Sequence, residues 1–244
     1  GILGDSFLKN YDIVEIDKKD LLNLENKMLS VLSPMDCNLI IPDLKKFRNK
    51  PFNELLKPYI NYTLGLADRF DKQINSLEII GGEFFVDPQI YNLFIKSLGH
   101  VFRDIMVHGI ECWKERIQAG KSESGNIKCI VELIDNTIKL TIIDDGRGID
   151  IELVKRTAIE KGFYTAEEIS AKEDNEIISL IFCDGFSTSS KISDLSGRGM
   201  GLSAVKDEVN NIGGNIEVTT TPGIGTSFIF LLPYYENTDL PTTS

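Results

Sequence analysis

Clustered cysteines, an excess of basic residues and long apolar runs are all missing from this 244-residue sequence. Its four cysteines lie far apart and form no Cys-x-x-Cys or Cys/His cluster, so neither a disulfide framework nor a structural zinc site is expected. Lys and Arg total 26 against 37 Asp and Glu, which gives a formal net charge of −11. Because nucleic-acid phosphates bind clustered cations, we expect no nucleic-acid partner.

Membrane and export signals are also missing. No apolar run approaches the roughly 18 residues that span a bilayer, and no signal peptide is visible. We therefore expect no membrane contact by this chain and a cytoplasmic location with reduced thiols. The chain begins with Gly rather than Met, so we expect a longer parent protein. We predict a partly helical N-terminal segment over 1–50, a main domain over 51–234 and a polar tail over 235–244.

The N-terminal third is predicted to be mostly helical. Asp20 is expected to cap a helix over 21–32, and an extended piece at 38–42 precedes a short helical turn. A broad apolar stripe over 51–73 predicts a helix that bends or breaks at Pro58. Two interpretations of this helix stay open, because it could pack on its own domain or dimerise.

The middle of the chain alternates apolar stretches with turn residues. Residues 76–86 are expected to form a hairpin that turns at a Gly-Gly pair. Asp87 is the predicted N-cap of a helix that runs to about residue 108. Strands over 127–134 and 137–143 are joined by an Asp-Asn pair that is typical of a tight hairpin.

The C-terminal part is predicted to contain further helices and two closing strands. The predicted helices cover 151–161, 165–171, 176–182 and 202–212, and the predicted strands cover 215–220 and 226–232. Thr165 and Glu168 form a capping box at the start of the second of these helices.

A polar stripe runs along the helix that begins at Asp87. His100, Asp104 and His108 are spaced i, i+4 and i+8 and should stack on one face. The stripe has three interpretations: a solvated face, a ligand-facing surface, or a metal site of two imidazoles and a carboxylate. The absence of a fourth ligand argues against zinc.

Two glycine clusters follow. In the first, Asp144 ends a strand, and Gly146 and Gly148 follow it. A carboxylate placed there can accept a hydrogen bond from an exocyclic amine while the glycines let the backbone approach a flat ring, although Asp-Gly also occurs in ordinary turns. The second cluster, residues 196–202, leads into a helix. Backbone N–H groups at a helix start form a phosphate cradle, and a flexible linker is the alternative.

Five motifs follow one another in a fixed order. They are a helix carrying His100-x-x-Arg103-Asp104-x-x-x-His108-Gly109-Ile110-Glu111, then Asp144-Asp145-Gly146-Arg147-Gly148, Gly185-Phe186-Ser187-Thr188, Ser196-Gly197-Arg198-Gly199-Met200-Gly201, and Gly223-Ile224-Gly225-Thr226. In this order the chain resembles the ATP-binding domain of histidine kinases, most closely the chemotaxis (CheA-type) histidine kinases. This is the GHKL superfamily, shared with gyrase B, the ninety-kilodalton heat-shock chaperone and MutL. The resemblance covers residues 52–233.

The resemblance implies an α/β (α+β) two-layer sandwich of the Bergerat type, with a mixed, mostly antiparallel sheet covered on one face by helices and with an N-terminal helical segment. It also implies site residues. Asp144 would accept from the adenine amino group, and Gly146 and Gly148 would let the loop approach the ring. Thr226 would lie near Asp144, and His100 would lie near the terminal phosphate as a catalytic residue. The remaining implied nucleotide-binding residues are Arg103, His108, Ile149, Phe186, Ser187, Thr188, Lys191, Gly197, Arg198, Gly199, Met200, Gly201 and Leu202.

Position 104 departs from the family pattern. The family usually has Asn there, whose oxygen helps to hold Mg²⁺, whereas this chain has Asp104. A carboxylate is a good hard ligand for Mg²⁺, so Asp104 is the implied metal ligand and a catalytic residue. Without metal it would repel the triphosphate. The chemotaxis pattern also has an acidic residue where this chain has Val107, so turnover stays open even where binding is implied.

The function that the resemblance implies is a kinase domain that uses ATP and Mg²⁺ in two-component signalling. Both histidines lie inside the motif helix, so the phosphoacceptor His must be on another domain or partner, in cis or trans. A homodimer through the N-terminal helices is compatible with the pattern. The alternative is a degenerate regulatory module that binds ATP without turnover. A hydrolytic ATPase of the gyrase or MutL kind would need a Glu base on the motif helix, and none occurs over 87–109.

Overall fold

The computed structural model describes residues 16–186 and 201–235, which divide into two compact units. One unit contains α1 and α2, and the other runs from Lys50 to Tyr235. The α-helices are α1 (Lys18–Val31), α2 (Pro34–Lys46), α3 (Phe52–Leu56), α4 (Pro58–Arg69), α5 (Pro88–Asp104), α6 (Trp113–Gln118), α7 (Ile151–Glu160), α8 (Ala166–Ser170), α9 (Asp174–Ile178) and α10 (Leu202–Asn211). The strands are β1 (Lys50–Pro51), β2 (Glu78–Gly81), β3 (Phe85–Val86), β4 (Ile127–Ile134), β5 (Thr137–Asp144), β6 (Asn215–Thr221) and β7 (Gly225–Pro233). The predicted domain bounds stay a prediction.

The helices of the first unit differ from the sequence prediction at two points. Asp17, and not Asp20, caps α1, because its side chain accepts a hydrogen bond from the Lys19 N–H at 2.7 Å. The predicted extended piece at 38–42 is wrong, since α2 continues through it. Cys37 and Ile41 are both buried and lie one helical turn apart, so a shared apolar face favours the helix over the break that proline favours.

A five-stranded sheet forms the centre of the second unit. Its strand order is β2-β4-β5-β7-β6, and only the β2–β4 pair is parallel. The predicted strands β4 to β7 are confirmed, including the hairpin between β4 and β5. Asp135 and Asn136 there have φ values of 46° and 60°, the left-handed conformation that a tight hairpin turn requires.

The predicted hairpin over 76–86 is wrong. β2 pairs with β4 in the main sheet, whereas β3 pairs with β1 in a separate two-stranded sheet. Gly81 and Gly82 do not close a turn between β2 and β3. Their carbonyl oxygens accept hydrogen bonds from the side-chain and backbone N–H groups of Asn53, both at 3.0 Å, so the glycine pair is held against α3.

The sheet is covered on one face by helices, and α5 is the central one. Asp87 caps α5 as predicted, accepting from the Gln89 N–H at 2.9 Å. Phe94 of α5 packs edge-on against Phe230 of β7, with ring centroids 5.3 Å apart. α4 packs within the same unit, where Tyr59 stacks on Phe102, and the break before Pro58 occurs as predicted. Burial raises the pKa of Tyr59 to about 12.

The helices after β5 enclose a satellite cluster. The helical boundaries predicted here agree with α7 to α9 within a few residues, and the Thr165–Glu168 capping box is present. Five buried side chains form the cluster, namely Val154, Ala158, Ile169, Ile177 and Leu180. The second unit is thus an α/β sandwich with a mixed, mostly antiparallel sheet, as the resemblance implied. Across the residues that the structure describes, no helix has the length and apolar character needed to cross a membrane.

Candidate functional site

Asp144 occupies the last core-facing position of β5. The strand alternates strictly, with Ile138, Leu140 and Ile142 buried on the helix-covered face. Asp144 continues that row and is only 3% exposed, and the strand register places it opposite Thr226 on β7. A carboxyl group therefore stands at the end of an apolar row, where an uncompensated charge is costly.

The surroundings of Asp144 bring its titration close to neutral pH. Burial raises its pKa to about 7, and the negative charges of Asp145 and Asp104 act in the same direction. Hydrogen bonds from the backbone of Gly146 and Thr226 oppose this rise, and the Gly146 N–H lies 2.8 Å from the Asp144 Oδ1. Such a group can take up or release a proton at physiological pH, as functional carboxyls commonly do.

The Asp144 loop (residues 144–149) requires glycine at two positions. A Cβ on Gly146 would lie 2.4 Å from the carbonyl carbon and oxygen of Gly109, a distance that real Cβ atoms do not reach. Gly148 has a φ of 75°, and a Cβ there would lie 2.6 Å from the Thr221 carbonyl oxygen. Between them, the Arg147 N–H donates to the Gly109 carbonyl at 2.9 Å. The loop is therefore docked directly on the end of the motif helix.

The far end of the Asp144 loop is fixed by Thr220, a residue that belongs to none of the five sequence motifs. Its hydroxyl accepts from the Ile149 N–H at 2.9 Å and donates to the Gly225 carbonyl at 3.0 Å. It also lies 3.2 Å from the Thr226 hydroxyl. The pairing of Thr220 with Thr226 across β6 and β7 was the available signal, since two threonines opposite each other commonly share hydrogen bonds.

The residues of the predicted polar stripe lie at the C-terminal end of α5 and in the turn that follows it. His100, Arg103 and Asp104 are half-buried, whereas His108 is exposed. α5 continues as a π turn over Ile105–Gly109, closed by an Ile110 N–H bond to the Ile105 carbonyl at 2.8 Å. The π turn removes His108 from the 3.6-residue period that the predicted stripe assumed. Turns of this kind are frequent at functional sites.

The charges around α5 affect one another. Burial lowers the pKa of His100, and the charge of Arg103 adds to this effect, which favours a neutral imidazole. Burial raises the pKa of Asp104, and His108 opposes this rise. Within 16–186 and 201–235, no three His, Cys, Asp or Glu side chains are grouped as a protein-only metal site would need.

The structure describes some of the remaining predicted site residues and not others. Phe186 packs edge-on against Phe163 in the satellite cluster, with ring centroids 5.5 Å apart. Ile149 contacts both that cluster and the main core. Gly201 is the N-cap of α10, and Leu202 is buried at the first position of the helix. Seven predicted site residues lie outside the described residues: Ser187, Thr188, Lys191, Gly197, Arg198, Gly199 and Met200.

Comparison with known proteins connects this geometry to a family. The family described as histidine kinase-, DNA gyrase B-, and HSP90-like ATPase matches residues 95–236. The chemotaxis protein CheA of Bacillus subtilis is 37% identical over 219 residues, which are 90% of this chain and 32% of that protein. CheA of Borreliella burgdorferi is 35% identical over 224 residues, 88% of this chain and 26% of that protein. The chain thus spans about a quarter to a third of the length of these relatives.

Solved structures of histidine kinases are also similar. The catalytic domain of the histidine kinase ThkA is 18% identical, with a TM-score of 0.47, and the match covers 78% of this chain and 97% of that one. The family match begins within α5, includes the motif residues at the end of that helix, the Asp144 loop and the strands β4 to β7, and extends over more than half of the sequence. The chain belongs to the family of histidine kinase-, DNA gyrase B- and HSP90-like ATPases.

Proposed function

We propose that this chain is the ATP-binding catalytic domain of a CheA-like histidine kinase, which transfers the γ-phosphoryl group to a His on another domain or partner in two-component signalling. The observation that carries the proposal is the buried Asp144 carboxyl, set between the glycine-bearing loop and the end of the motif helix. The names of the relatives support the choice of reaction, since they are called CheA and sensor histidine kinase.

Adenine recognition would use the Asp144 carboxylate. The exocyclic amine of adenine donates to a carboxylate, and a charge-assisted hydrogen bond in a dry site discriminates strongly against bases that lack this donor. The backbone at Gly146 and Gly148 presents no side chain that would obstruct a flat ring. Thr226 stands opposite Asp144 in the strand register and would complete this end of the site.

The triphosphate would lie between the N-terminus of α10 and the polar end of α5. α10 begins at Leu202, directly after the second glycine cluster, and the N–H groups of a helix start bind anions. The same proposal assigns His100, Arg103 and His108 to this end of the nucleotide. A neutral His100 can donate one hydrogen bond to a phosphate oxygen without adding charge.

Asp104 would hold Mg²⁺. Mg²⁺ is commonly bound by one or two carboxylates together with substrate phosphates and water, so the lack of a three-residue protein site among the described residues is compatible with it. A half-buried carboxyl whose pKa is raised by burial also fits, because a cation would stabilise its charged form. The ion would neutralise charge on the phosphates, while this chain's residues position the reacting groups.

The phosphoacceptor would lie elsewhere. His100 and His108 are the only histidines of the sequence, and both belong to the nucleotide motif. The test is incubation of the chain with ATP labelled at the γ-phosphate, Mg²⁺ and the other domains of its parent protein. Label that appears on a His of one of those domains supports the kinase. ATP binding without any transfer contradicts the kinase and supports a regulatory module.

That regulatory module is the second candidate. It would bind ATP as a conformational ligand without turnover, and the motif helix supplies the observation that favours it. Asp104 stands where the family usually has Asn, and it lies close enough to Asp144 to raise its pKa. Val107 also replaces an acidic residue of the chemotaxis pattern.

Substituting Asp104 with Asn separates the two candidates. In EDTA the variant is expected to bind ATP more tightly than the wild type, because Coulomb repulsion of about 1 kcal/mol per charge pair at contact in water is removed. In excess Mg²⁺ the gain should be smaller, because the carboxylate then attracts the ion. Calorimetry in both buffers measures the difference. An equal gain with and without metal would show that Asp104 does not engage Mg²⁺.

Base recognition is expected to depend on pH. The pKa of Asp144 is raised to about 7, so below that value the group is protonated and accepts from the adenine amine only through a neutral oxygen, which makes a weaker hydrogen bond than the carboxylate. Affinity should therefore rise about tenfold between about pH 6 and pH 8, as expected for one linked proton. Adenosine is the better ligand for this titration, since it has no phosphates that titrate. A flat profile for the wild type, or the same slope in Asp144→Asn, would rule out Asp144 as the titrating group.

The stability of the fold is expected to depend on pH in the opposite direction to base affinity. The pKa of Asp144 is higher in the folded chain than in an unfolded one, so its contribution to the unfolding free energy is fully present below the unfolded pKa and is lost as pH rises through about 7. Stability and base affinity should consequently change in opposite directions over this range.

The N-terminal helices suggest an assembly. α1 and α2 expose large apolar side chains, including Val31 at 74%, Met35 at 76% and Leu39 at 70%. Apolar surface of this kind marks interaction sites, and we propose a homodimer through these helices. A cytoplasmic location also belongs to this proposal. Sedimentation equilibrium of the chain with and without residues 1–49 tests the dimer, because the monomeric state of the intact chain would contradict it.

A further inference from the structure

Arg116 is the most buried charged side chain near the Asp144 loop. It is 1% exposed, and all three guanidinium nitrogens donate hydrogen bonds. Two of these bonds reach the carbonyl oxygens of Ser122 and Ser124, at 2.7 and 3.3 Å. The other three reach a Glu111 carboxylate oxygen at 3.1 Å, the Asp145 carbonyl at 3.2 Å and the Asp145 carboxylate at 3.0 Å. Arg116 therefore connects the segment after α5 to the residue that follows Asp144.

Lys121 repeats this connection from a second direction. Its ammonium group donates to the Asp145 carbonyl at 2.8 Å and to the Gly146 carbonyl at 2.6 Å. It also donates to Glu111 Oε1 at 2.8 Å, so Glu111 holds Lys121 with one oxygen and Arg116 with the other. All three ammonium donors are thereby satisfied, and two of them end on the peptide groups directly after Asp144.

We propose that Lys121 and Arg116 are positioning residues for nucleotide binding, which hold the backbone of the Asp144 loop at the angle at which Asp144 can face the base. Together with Glu111 and Asp145 they form the loop clamp. Its members reach no ligand themselves, and they act through the carbonyl groups of Asp145 and Gly146. The inference rests on the proposed function, since it specifies how the same site is kept in shape.

The charges within the loop clamp balance one another, because it contains two carboxylates and two cations. Three of these side chains are largely buried, with exposures of 1% for Arg116, 15% for Lys121 and 8% for Glu111. Burial pushes the pKa of Asp145 upward, yet hydrogen bonds from Asn126 and Arg116 keep it below its usual value. Asp145 therefore stays charged beside Asp144. A buried network of this kind fixes geometry only while every member is paired, because one lost partner leaves an uncompensated charge.

If Lys121 and Arg116 only stabilise the fold, their loss should affect nucleoside binding differently than if they position the Asp144 loop. Loss of stability lowers the folded fraction but leaves the folded site able to distinguish adenosine from purine riboside, the analogue without the amino group. Displacement of the Asp144 loop abolishes that distinction, because the amine no longer meets the carboxylate. The preference for adenosine over purine riboside is therefore the informative readout.

The experiment measures the dissociation constants of both nucleosides for the full chain and its Lys121→Met variant, with folding checked by circular dichroism. We expect Lys121→Met to lose about tenfold in adenosine affinity and to approach equal affinity for the two nucleosides. Lys121→Arg, which keeps the charge and the donors, should recover part of the preference. Lys139→Met is the matched control, because it removes an exposed cross-strand ion pair to Glu132 and should leave both constants unchanged.

A wild-type preference in folded Lys121→Met would overturn the inference. If Lys121→Met does not fold, Glu111→Gln replaces it, since this variant keeps the shape of the side chain and neutralises the group that anchors both cations; an unchanged preference there overturns the inference equally. Failure of the wild type to bind adenosine or ATP would instead contradict the proposed function, so the two failures are distinguishable.

Discussion

Replacing Asp144 with Asn is expected to weaken ATP binding by about ten- to a hundredfold without loss of the fold. A buried hydrogen bond to a charged group contributes on the order of 1.5–3 kcal/mol, and each 1.4 kcal/mol is about a factor of ten. The amide is isosteric with the carboxyl and can still accept from the Gly146 N–H, but its NH₂ group offers a donor toward the adenine amine. Calorimetric titration with ATP in Mg²⁺ measures the loss.

Stability provides the second readout for this variant. The Asp144 carboxyl is 3% exposed and ionises at a cost to the fold, so the neutral Asn should leave the urea midpoint at about pH 8 unchanged or higher. Asp135→Asn is the matched control, because it makes the same chemical change in the exposed turn at the opposite end of the same hairpin. ATP affinity that is equal in Asp144→Asn and the control would remove Asp144 from the site.

Replacing Gly146 with Ala is expected to reduce ATP binding at least as strongly, by a different route. The added methyl group would lie 2.4 Å from the backbone of Gly109 and 2.7 Å from Asp144 Oδ1. The Asp144 loop must move away from α5, because the backbone of Gly109 cannot move aside as a flexible side chain would. Overpacking of this kind costs about 1–3 kcal/mol of stability, and the displaced carboxyl can no longer meet the base.

Gly65→Ala is the control for Gly146→Ala. A Cβ at Gly65 meets nothing within 4 Å, and the residue lies in α4, where Ala is favoured over Gly. That variant should bind ATP like the wild type and be slightly more stable. Adenosine affinity separates displacement of the loop from an effect on phosphates. Wild-type adenosine affinity in Gly146→Ala would show that the loop geometry does not determine base binding.

Local signals in the sequence predicted much of the fold. Alternation in β5, the Asp87 cap and the turn at Asp135 and Asn136 act over a few residues, and the structure contains each of them. Asp144 was identifiable because a charged residue ended an apolar strand and glycines followed. The strand register then brought Thr226 opposite Asp144, as the resemblance implied.

Features set by distant contacts were not predictable from the sequence. The Gly81–Gly82 pair has the composition of a hairpin turn, but its carbonyls bind Asn53, which lies about thirty residues earlier. Residues 38–42 have a strand-like composition, yet contact with α1 favours a helix. In the loop clamp, Arg116 reaches Asp145 across 29 residues, and Thr220 reaches Ile149 across 71. Periodicity contains no information about such pairs.

Calorimetric titration of the intact chain with ATP in the presence of Mg²⁺ shows whether the chain binds ATP through Asp144. We expect saturable binding at one site per chain, weakened by at least tenfold in Asp144→Asn and unchanged in Asp135→Asn. A folded chain that gives no binding heat and no ATP-dependent rise in melting temperature would contradict it.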